Sequence, residues 1–476
     1  MKMVKSLLLG SAAGMVAVAG AQAADLPVKA KPVEYVKICS LYGAGFYYMP
    51  GTNICIKVGG FVRAEWQVNT AGGSFSQYNH VNFDSRATND SHVRTRGGIS
   101  IDAREQTAYG TLRAYVNMAP TVTDAAPGTG TSIWHNRAFI QFAGFTAGNA
   151  VSFFDFDPIA IYSNQTNRIG SSTGGTGIPL FAYTAQFGNG FSASISAEAH
   201  QQRNSAIFRG PTAGPGNNFT GGLQWPAFVA NLRVDQAWGS AQVMAAAHQL
   251  HALYYNGTAP SNAVPGSPSD EVGWAVGAGL KLNLPTGKGD FFIAQAAYTE
   301  GAITYVCSGC GGIAGGNPIL QFNIQNGTGL VGDPVTVAYG PVYDATYSAV
   351  PGSSLNLTHA WSLTAALQHN WGPGWKSSLY GAYMAFNYNA ASDVLLRINP
   401  GGQGGLPAPG APANPGSADW EYYQIGSRTV WSPVPGLDLS VEAMYNRVNT
   451  AYANSPNYQD KDWVSGIFRV QRNFHP

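Results

Sequence analysis

Residues 54–68 alternate between apolar side chains and charged or polar ones. The even positions carry Ile54, Ile56, Val58, Val62, Ala64, Trp66 and Val68, whereas the odd positions include Lys57, Arg63, Glu65 and Gln67. A period of two places successive side chains on opposite faces of a β-strand. One face of this strand is therefore apolar and the other is charged. A soluble β-sandwich could show the same pattern over one strand, so its recurrence along the chain decides the fold.

The chain begins with the features of a secretory signal. Lys2 and Lys5 precede an apolar run over 7–20, and Ala21-Gln22-Ala23 is typical of a cleavage site. The run is shorter than the ~20 apolar residues that a membrane-spanning helix needs. We therefore expect residues 1–23 to be a signal peptide and the exported chain to begin at Ala24.

The composition is unusual for a soluble protein of this size. Charged residues make up 11% of the 476 residues, against about 25% in typical soluble domains. The formal net charge is +1, so a basic surface for nucleic acid is not expected. Such a chain is suited to an outer surface that faces something other than water.

Strand-like segments recur sixteen times, with short and long connections alternating between most of them. The segments are 54–69, 92–107, 109–119, 134–145, 149–156, 179–189, 191–202, 226–239, 240–253, 272–285, 288–301, 358–372, 375–388, 420–433, 437–449 and 462–474. Most are as long as, or longer than, the ~9–11 residues of a strand that crosses a bilayer. Short turns on one side and long loops on the other are typical of outer-membrane barrels. The sequence predicts an all-β protein, a 16-stranded antiparallel transmembrane β-barrel with short periplasmic turns and long extracellular loops.

The two-faced pattern also predicts which residues line the barrel. Basic side chains fall on the inner registers of the first four segments, namely Lys57, Arg63, Arg94, Arg96, Arg113 and Arg137. We expect them to form a basic wall in a water-filled lumen, unless they are separate solvated charges or pairs for Glu65 and Asp102. Aromatic residues near strand ends, among them Trp66, Trp238, Trp371 and Trp463, indicate interfacial girdles.

Several motifs resemble the alphaproteobacterial porin family of general diffusion outer-membrane porins. They are Ala24-Asp25-Leu26-Pro27, the stretch from Tyr42 to Thr52, its continuation from Cys55 to Arg63, and Ser152-Phe153-Phe154-Asp155-Phe156. The resemblance implies a homotrimer of sixteen-stranded barrels that passes ions and small hydrophilic solutes. It also implies an inward-folded third loop, the constriction loop 157–178. The acidic residues Asp155 and Asp157 would either face the basic wall or form hydrogen bonds at the root of this loop.

The resemblance divides the exported chain into a periplasmic N-terminal segment, 24–53, and the barrel, 54–474. Such barrels lie in outer-membrane lipid and lipopolysaccharide and end on an aromatic residue that the barrel assembly machinery reads. Phe474 is the candidate here, although His475 and Pro476 follow it.

Four cysteines in an exported chain suggest two disulfides, Cys39–Cys55 and Cys307–Cys310. The C-x-x-C of the second pair also occurs in redox and metal sites. However, no βαβ context and no second ligand pair accompany it.

The leading hypothesis is a passive porin, with no enzymatic activity, no cofactor and no metal. Two alternatives remain open from the sequence. One is a substrate-selective channel, and the other is a barrel enzyme or adhesin that acts through its long loops. No H-E-x-x-H motif is present, and an exported soluble β-protein is the least favoured class.

Overall fold

The computed structural model describes most of the chain after residue 36. The described residues are 37–69, 91–123, 130–156, 161–164, 169–173, 177–199, 203–210, 218–255, 266–308, 310, 319–322, 338–398, 416–455 and 458–474. The expected signal peptide and the motif Ala24–Pro27 lie outside these residues. Among the described residues, no helix is long and apolar enough to cross a membrane.

Sixteen antiparallel strands form one closed barrel, which confirms the predicted fold class. They are β1 (Cys55–Asn69), β2 (Ser91–Thr107), β3 (Gly110–Thr123), β4 (Gly130–Phe142), β5 (Phe145–Ala150), β6 (Ile178–Gly188), β7 (Phe191–Glu198), β8 (Ala227–Gln236), β9 (Gly239–Leu250), β10 (Glu271–Asn283), β11 (Phe291–Glu300), β12 (His359–Gly372), β13 (Trp375–Asn387), β14 (Trp420–Val434), β15 (Leu437–Asn449) and β16 (Lys461–Asn473).

Each strand pairs with its neighbours in the sequence, and β1 pairs with both β2 and β16 to close the barrel. Pairing between β1 and β16 begins at Phe61 opposite Asn473, so residues 55–60 of β1 extend beyond it. The short strand Tyr47–Tyr48 pairs with Cys55 and Ile56 in this extension. It therefore covers a part of β1 that β16 does not reach.

The connections alternate as predicted. The short-turn end of the barrel has connections such as Ala143–Gly144 and Pro435–Gly436, and both glycines have positive φ, 87° and 78°. Glycine adopts this conformation without the steric cost that a side chain brings. The opposite, long-loop end carries the long connections, including 151–177 and 301–358.

Several long connections contain regular structure that the sequence analysis does not anticipate. Ala206–Gly210 pairs in parallel with Tyr343–Ser348, which also pairs with Asn356–Leu357, and Ile319–Phe322 pairs with Ala338–Pro341. A helix, α1 (Ala390–Ile398), packs here, and its Ser392 hydroxyl lies 2.8 Å from that of Thr346. We call these described segments, together with residues 203–205, 301–308 and 310, the loop lobe.

One predicted strand is shorter than expected. The segment 149–156 is predicted to be a strand, but β5 ends at Ala150 and the chain then leaves the barrel wall. The Ser152 hydroxyl accepts a bond from the Phe154 amide, while the Ser152 carbonyl accepts one from the Asp155 amide. This local turn uses backbone groups that a strand would pair with a neighbour.

The outer face of the barrel is apolar and the inner face is polar, as the alternation predicts. Trp66 is 53% exposed on the outer face, whereas the neighbouring Glu65 is 2% exposed on the inner face. Trp238 and Trp371 are also exposed. The expectation for Trp463 is wrong, because it shares the inner register with Lys461 and is 4% exposed, stacked on Tyr422.

Two adjacent glycines of β2 test how tightly the inner face is packed. A Cβ added to Gly98 would lie 2.3 Å from the Phe61 ring, whereas one added to Gly97 would meet nothing within 4 Å. We expect Gly98→Ala to destabilise the barrel by about 1–3 kcal/mol, the usual cost of overpacking. Thermal unfolding in detergent measures the change, and Gly97→Ala is the matched control. Equal unfolding temperatures for the two variants would contradict the close contact.

Candidate functional site

The described residues between β5 and β6, namely 151–156, 161–164, 169–173 and 177, lie in the lumen, and we call them the constriction segment. Its outgoing leg lies against β8 and against β9, where the Gln242 side chain donates a 3.4 Å bond to the Asp155 carbonyl. The Phe153 carbonyl accepts a bond of 2.6 Å from the Asn231 side chain, and the Arg233 guanidinium lies 5.2 Å from the Phe156 ring centre. Phe154 is fully buried. These contacts hold the outgoing leg on one side of the lumen.

The tip of the segment reaches the inner wall formed by β13–β16. The Ser163 hydroxyl and the Asn164 amide each donate a 2.6 Å bond to Glu442 of β15. Arg469 of β16 donates to both Asn164 oxygens at 2.7 Å. The segment therefore crosses the barrel and is fixed on the far wall.

The returning leg contacts the loop lobe. The Gly170 amide donates a 2.7 Å bond to the Val306 carbonyl, and the Ser308 amide donates a 3.1 Å bond to the Gly170 carbonyl. These two bonds flank Cys307, which is bonded to Cys310. The second predicted disulfide thus lies beside the constriction segment.

Ion pairs neutralise part of the predicted basic wall. Glu65 stands opposite Arg94 and Arg469 in the strand registers and accepts a 2.6 Å bond from the Nε of each. Asp102 binds Arg104 and Arg113 through both of its oxygens. The sequence analysis leaves open whether the cations pair with these two carboxylates. In the structure, some of them do.

Two other cations of the wall donate hydrogen bonds to neutral groups. Arg63 donates to Gln471 at 2.8 Å and lies 4.0 Å from Glu65, while Arg96 donates to the Thr121 hydroxyl at 2.8 Å. Arg137 lines a cavity of about 480 Å³ together with the stacked rings of Tyr115 and Phe139. These side chains lie on β1–β4, whereas the described tip of the constriction segment is fixed on β13–β16.

The two predicted acidic residues have different outcomes. Asp155 is buried at the root of the constriction segment, where it accepts bonds from Ser171 and Thr173 and pairs with Arg203 at 3.1 Å. Asp157 lies outside the described residues. Asp155 is the single carboxylate among the described residues of the segment; besides pairing with Arg203, it lines the same cavity as Arg137.

The sequence analysis does not identify Glu442, Arg469 or Arg203 as residues that hold the segment. Glu442 and Arg469 lie on inner registers of the last two strands, and this register is the feature of the sequence that could have pointed to them. Their partners are 278–305 residues away along the chain, a separation at which alternation gives no pairing information.

The N-terminal residues 37–54 cover part of the short-turn end. Cys55 faces the lumen beside Lys57 and is bonded to Cys39, as expected. Lys57 donates a 3.1 Å bond to the Ala44 carbonyl, and the Arg104 guanidinium lies 5.0 Å from the Phe46 ring centre. The N-terminal segment therefore covers two inward-facing cations.

A buried carboxyl group holds the loop lobe together. Asp344 accepts a 2.6 Å bond from the Ser205 amide and a 2.9 Å bond from the Ile303 amide, which belong to two different connections. Burial raises the pKa of Asp344 to about 7, although both amide donors favour its charged form. The lobe thus contains a group that titrates near neutral pH.

The sequence comparisons agree in pointing to one family. The model of the Porin subfamily matches residues 25–467. The chain is 31% identical over 333 residues to the porin Omp2b of Brucella melitensis, with 64% of this chain and 86% of the relative covered. It is 29% identical over 345 residues to the porin Omp2a of Brucella ovis, covering 64% and 92%.

A solved structure supports the fold independently. The outer membrane channel DcaP of Acinetobacter baumannii superposes with a TM-score of 0.60, covering 90% of this chain and 99% of that one. The sequence identity is 15%, so this likeness concerns the fold alone.

The pKa of Asp344 predicts that the loop lobe is more stable in acid. Because its pKa of about 7 in the folded chain exceeds the ordinary aspartate value of 3.8, the folded lobe binds the proton more tightly than the open one. The free energy of lobe opening should fall as pH rises from about 4 to 7 and then level off. Hydrogen exchange of amides in 203–208 and 303–308, corrected for intrinsic rates, measures it.

Asp344→Asn should remove this pH dependence. The matched control is Asp393→Asn, because Asp393 of α1 in the lobe also accepts a backbone amide bond, from Ala418 at 2.7 Å. The control should keep the wild-type slope. A slope that survives in Asp344→Asn would assign the titration to another group.

Proposed function

This chain belongs to the Porin subfamily, and from that premise we propose how its channel is constricted and which ions it favours. The protein is an outer-membrane porin, a β-barrel channel for diffusion, and it is not an enzyme. We assign the short-turn end to the periplasm and the long-loop end to the cell exterior, following the orientation usual for such barrels.

The observation that carries the proposal is the position of the constriction segment. Its outgoing leg occupies the inner faces of β8 and β9, and its tip is bound to β13–β16. The passage that remains runs along β1–β4. Solutes would therefore pass between the constriction segment and the basic wall, which sets both the bore and the local charge.

The charges beside this passage favour anions. The described inner faces of β1–β4 carry two carboxylates, Glu65 and Asp102, and seven basic side chains, namely Lys57, Arg63, Arg94, Arg96, Arg104, Arg113 and Arg137. A cleft lined by one sign of charge concentrates ions of the opposite sign. The channel would pass small hydrophilic solutes without a cofactor or a binding cycle, with a preference for anions.

We further propose that three barrels assemble as a homotrimer in outer-membrane lipid and lipopolysaccharide after residues 1–23 are removed. Phe474 would be the aromatic signal for the barrel assembly machinery. Its position supports this role, because its ring is exposed and its amide extends the β16 pairing by a 2.9 Å bond to the Gly60 carbonyl.

Arg96 provides a direct test of anion preference. We expect Arg96→Ser to lower the anion-to-cation permeability ratio about twofold, because it removes a cation of the proposed passage that has a neutral partner. Reversal potentials in a planar bilayer under a salt gradient measure the ratio. The effect should shrink at 1 M salt, where the screening length is about 3 Å instead of about 10 Å at 0.1 M.

Arg447→Ser is the matched control. Arg447 belongs to β15, shares the outward register with Tyr445 and pairs with Asp460 near the long-loop end. Its loss removes the same formal charge outside the passage, so the reversal potential should stay unchanged. Equal shifts in both variants would show that total charge, not the passage, sets the preference, and a channel that never opens would overturn the porin function itself.

The Cys39–Cys55 bond allows a test of whether residues 37–54 cover inward-facing cations of the channel. A disulfide that closes a loop of about this length stabilises the folded chain by about 3 kcal/mol. Residues 37–54 should therefore be held less firmly in Cys39→Ala/Cys55→Ala. Lys57 and Arg104 would then lose their cover, and conductance at low salt should rise. Tyr42→Ala/Phe46→Ala should act in the same direction with the disulfide intact, because Arg104 contacts both rings. Unchanged conductance in both double variants would contradict the covering role.

A further inference from the structure

We propose that Arg203 is the positioning residue that sets the bore, by fixing both legs of the constriction segment to the barrel wall and to the loop lobe. The inference rests on the proposed diffusion function. Arg203 lies in the connection between β7 and β8, and its side chain is 2% exposed. No property of the sequence pattern singles it out, because the residue lies outside the strands.

The Arg203 guanidinium contacts both legs of the constriction segment. Its Nη2 donates a 3.1 Å bond to Asp155 on the outgoing leg, and its Nη1 donates a 3.2 Å bond to the Ser171 hydroxyl on the returning leg. The two legs are also joined directly, since Asp155 accepts bonds from Ser171 at 2.7 Å and from the Thr173 amide at 2.6 Å. Arg203 thus closes the root of the segment.

The same guanidinium reaches the barrel wall. Its Nε lies 3.8 Å from Glu198 at the end of β7. Glu198 in turn accepts a 2.7 Å bond from the Ser152 hydroxyl and a 2.9 Å bond from the Phe153 amide. One buried cation therefore serves two buried carboxyl groups, each of which holds the outgoing leg. Removing a partner from such a buried set leaves uncompensated charge, which is costly.

The loop lobe fixes Arg203 from the other side. The Arg203 carbonyl accepts a 2.6 Å bond from the Thr304 hydroxyl, and the guanidinium lies 4.5 Å from the Tyr305 ring centre. Tyr305 also packs on Phe154 of the constriction segment, with ring centres 4.6 Å apart. The lobe, the wall and the constriction segment therefore meet at one side chain.

The test compares two substitutions of Arg203 with a matched control. Arg203→Met removes the charge and the bonds, whereas Arg203→Lys keeps the charge but cannot make the forked contact to Asp155 and Ser171. Arg209→Met is the control, because Arg209 lies in the same connection and stacks on Phe219 at 4.1 Å within the long-loop end. Each variant is assayed as the full-length channel in a planar bilayer, after heat-modifiable gel mobility has verified folding.

We expect Arg203→Lys to raise open-channel noise and conductance, the noise by roughly twofold, at an unchanged reversal potential, because the forked contact is lost and the charge is kept. Arg203→Met should show the same rise together with a shift toward cations, because Asp155 and Glu198 lose their countercharge. Arg209→Met should match the wild type. If Arg203 acted only in folding, its variants would change the amount of folded channel. Arg203→Lys would then not raise the noise at an unchanged reversal potential.

Two outcomes would overturn the proposal. Wild-type noise and conductance in both Arg203 variants would show that the segment is positioned without this residue. The same changes in Arg209→Met would assign them to general loosening of the lobe. If Arg203→Met does not fold, Asp155→Asn provides the deciding measurement, because it should reproduce the raised noise and a wild-type value there would refute the proposal. A wild-type chain without channel activity would instead refute the porin function.

Discussion

Closure of the barrel at β1 and β16 is the constraint on which the other features depend. A strand with an unpaired edge cannot face lipid, because its backbone groups would have no partners there. Closure pairs each strand on both sides. Residues 55–60 of β1 extend beyond the end of β16, and the N-terminal strand Tyr47–Tyr48 pairs with this extension. The location of the N-terminal segment at the lumen therefore follows from a difference in strand length.

A carboxylate that is buried in the inner wall is costly unless a cation is paired with it. The carboxylates meet this condition with arginines. Glu65 binds Arg94 and Arg469 from its two neighbouring strands, and Asp102 binds Arg104 of its own strand and Arg113 of the next. Cross-strand neighbours are close enough for such pairs to form without distorting the backbone. Because each of these carboxylates has two guanidinium partners, the matched clusters keep a positive charge, and Arg96 adds to it. Pairing thus reduces the basic character of the wall without abolishing it.

The sequence predicts the strands of the barrel wall well, but it predicts poorly which residues hold the chain inside the lumen. Alternation fixes which face of a strand is apolar, so sixteen strands and the inner register of Arg63 and Arg96 could be read from the residues. It fails at Ser152, where a side chain bonds the local backbone and ends the strand. Trp463 was misplaced because its position near a strand end was used without its register. Arg203 lies in a connection, where spacing carries no information about partners 48 residues away.

The constriction segment owes its position to apolar anchors and its alignment to polar ones. Hydrogen bonds contribute about 1 kcal/mol each when water competes for them, so a few of them would not by themselves draw a chain onto the wall. Burial of Phe154 and Phe156 contributes about 1.5–3 kcal/mol per side chain, and it draws the outgoing leg onto the wall. Apolar burial is not directional, however, and cannot decide how the two legs are aligned. The buried guanidinium of Arg203 and the carboxylates of Asp155 and Glu442 decide that, because their bonds tolerate little displacement.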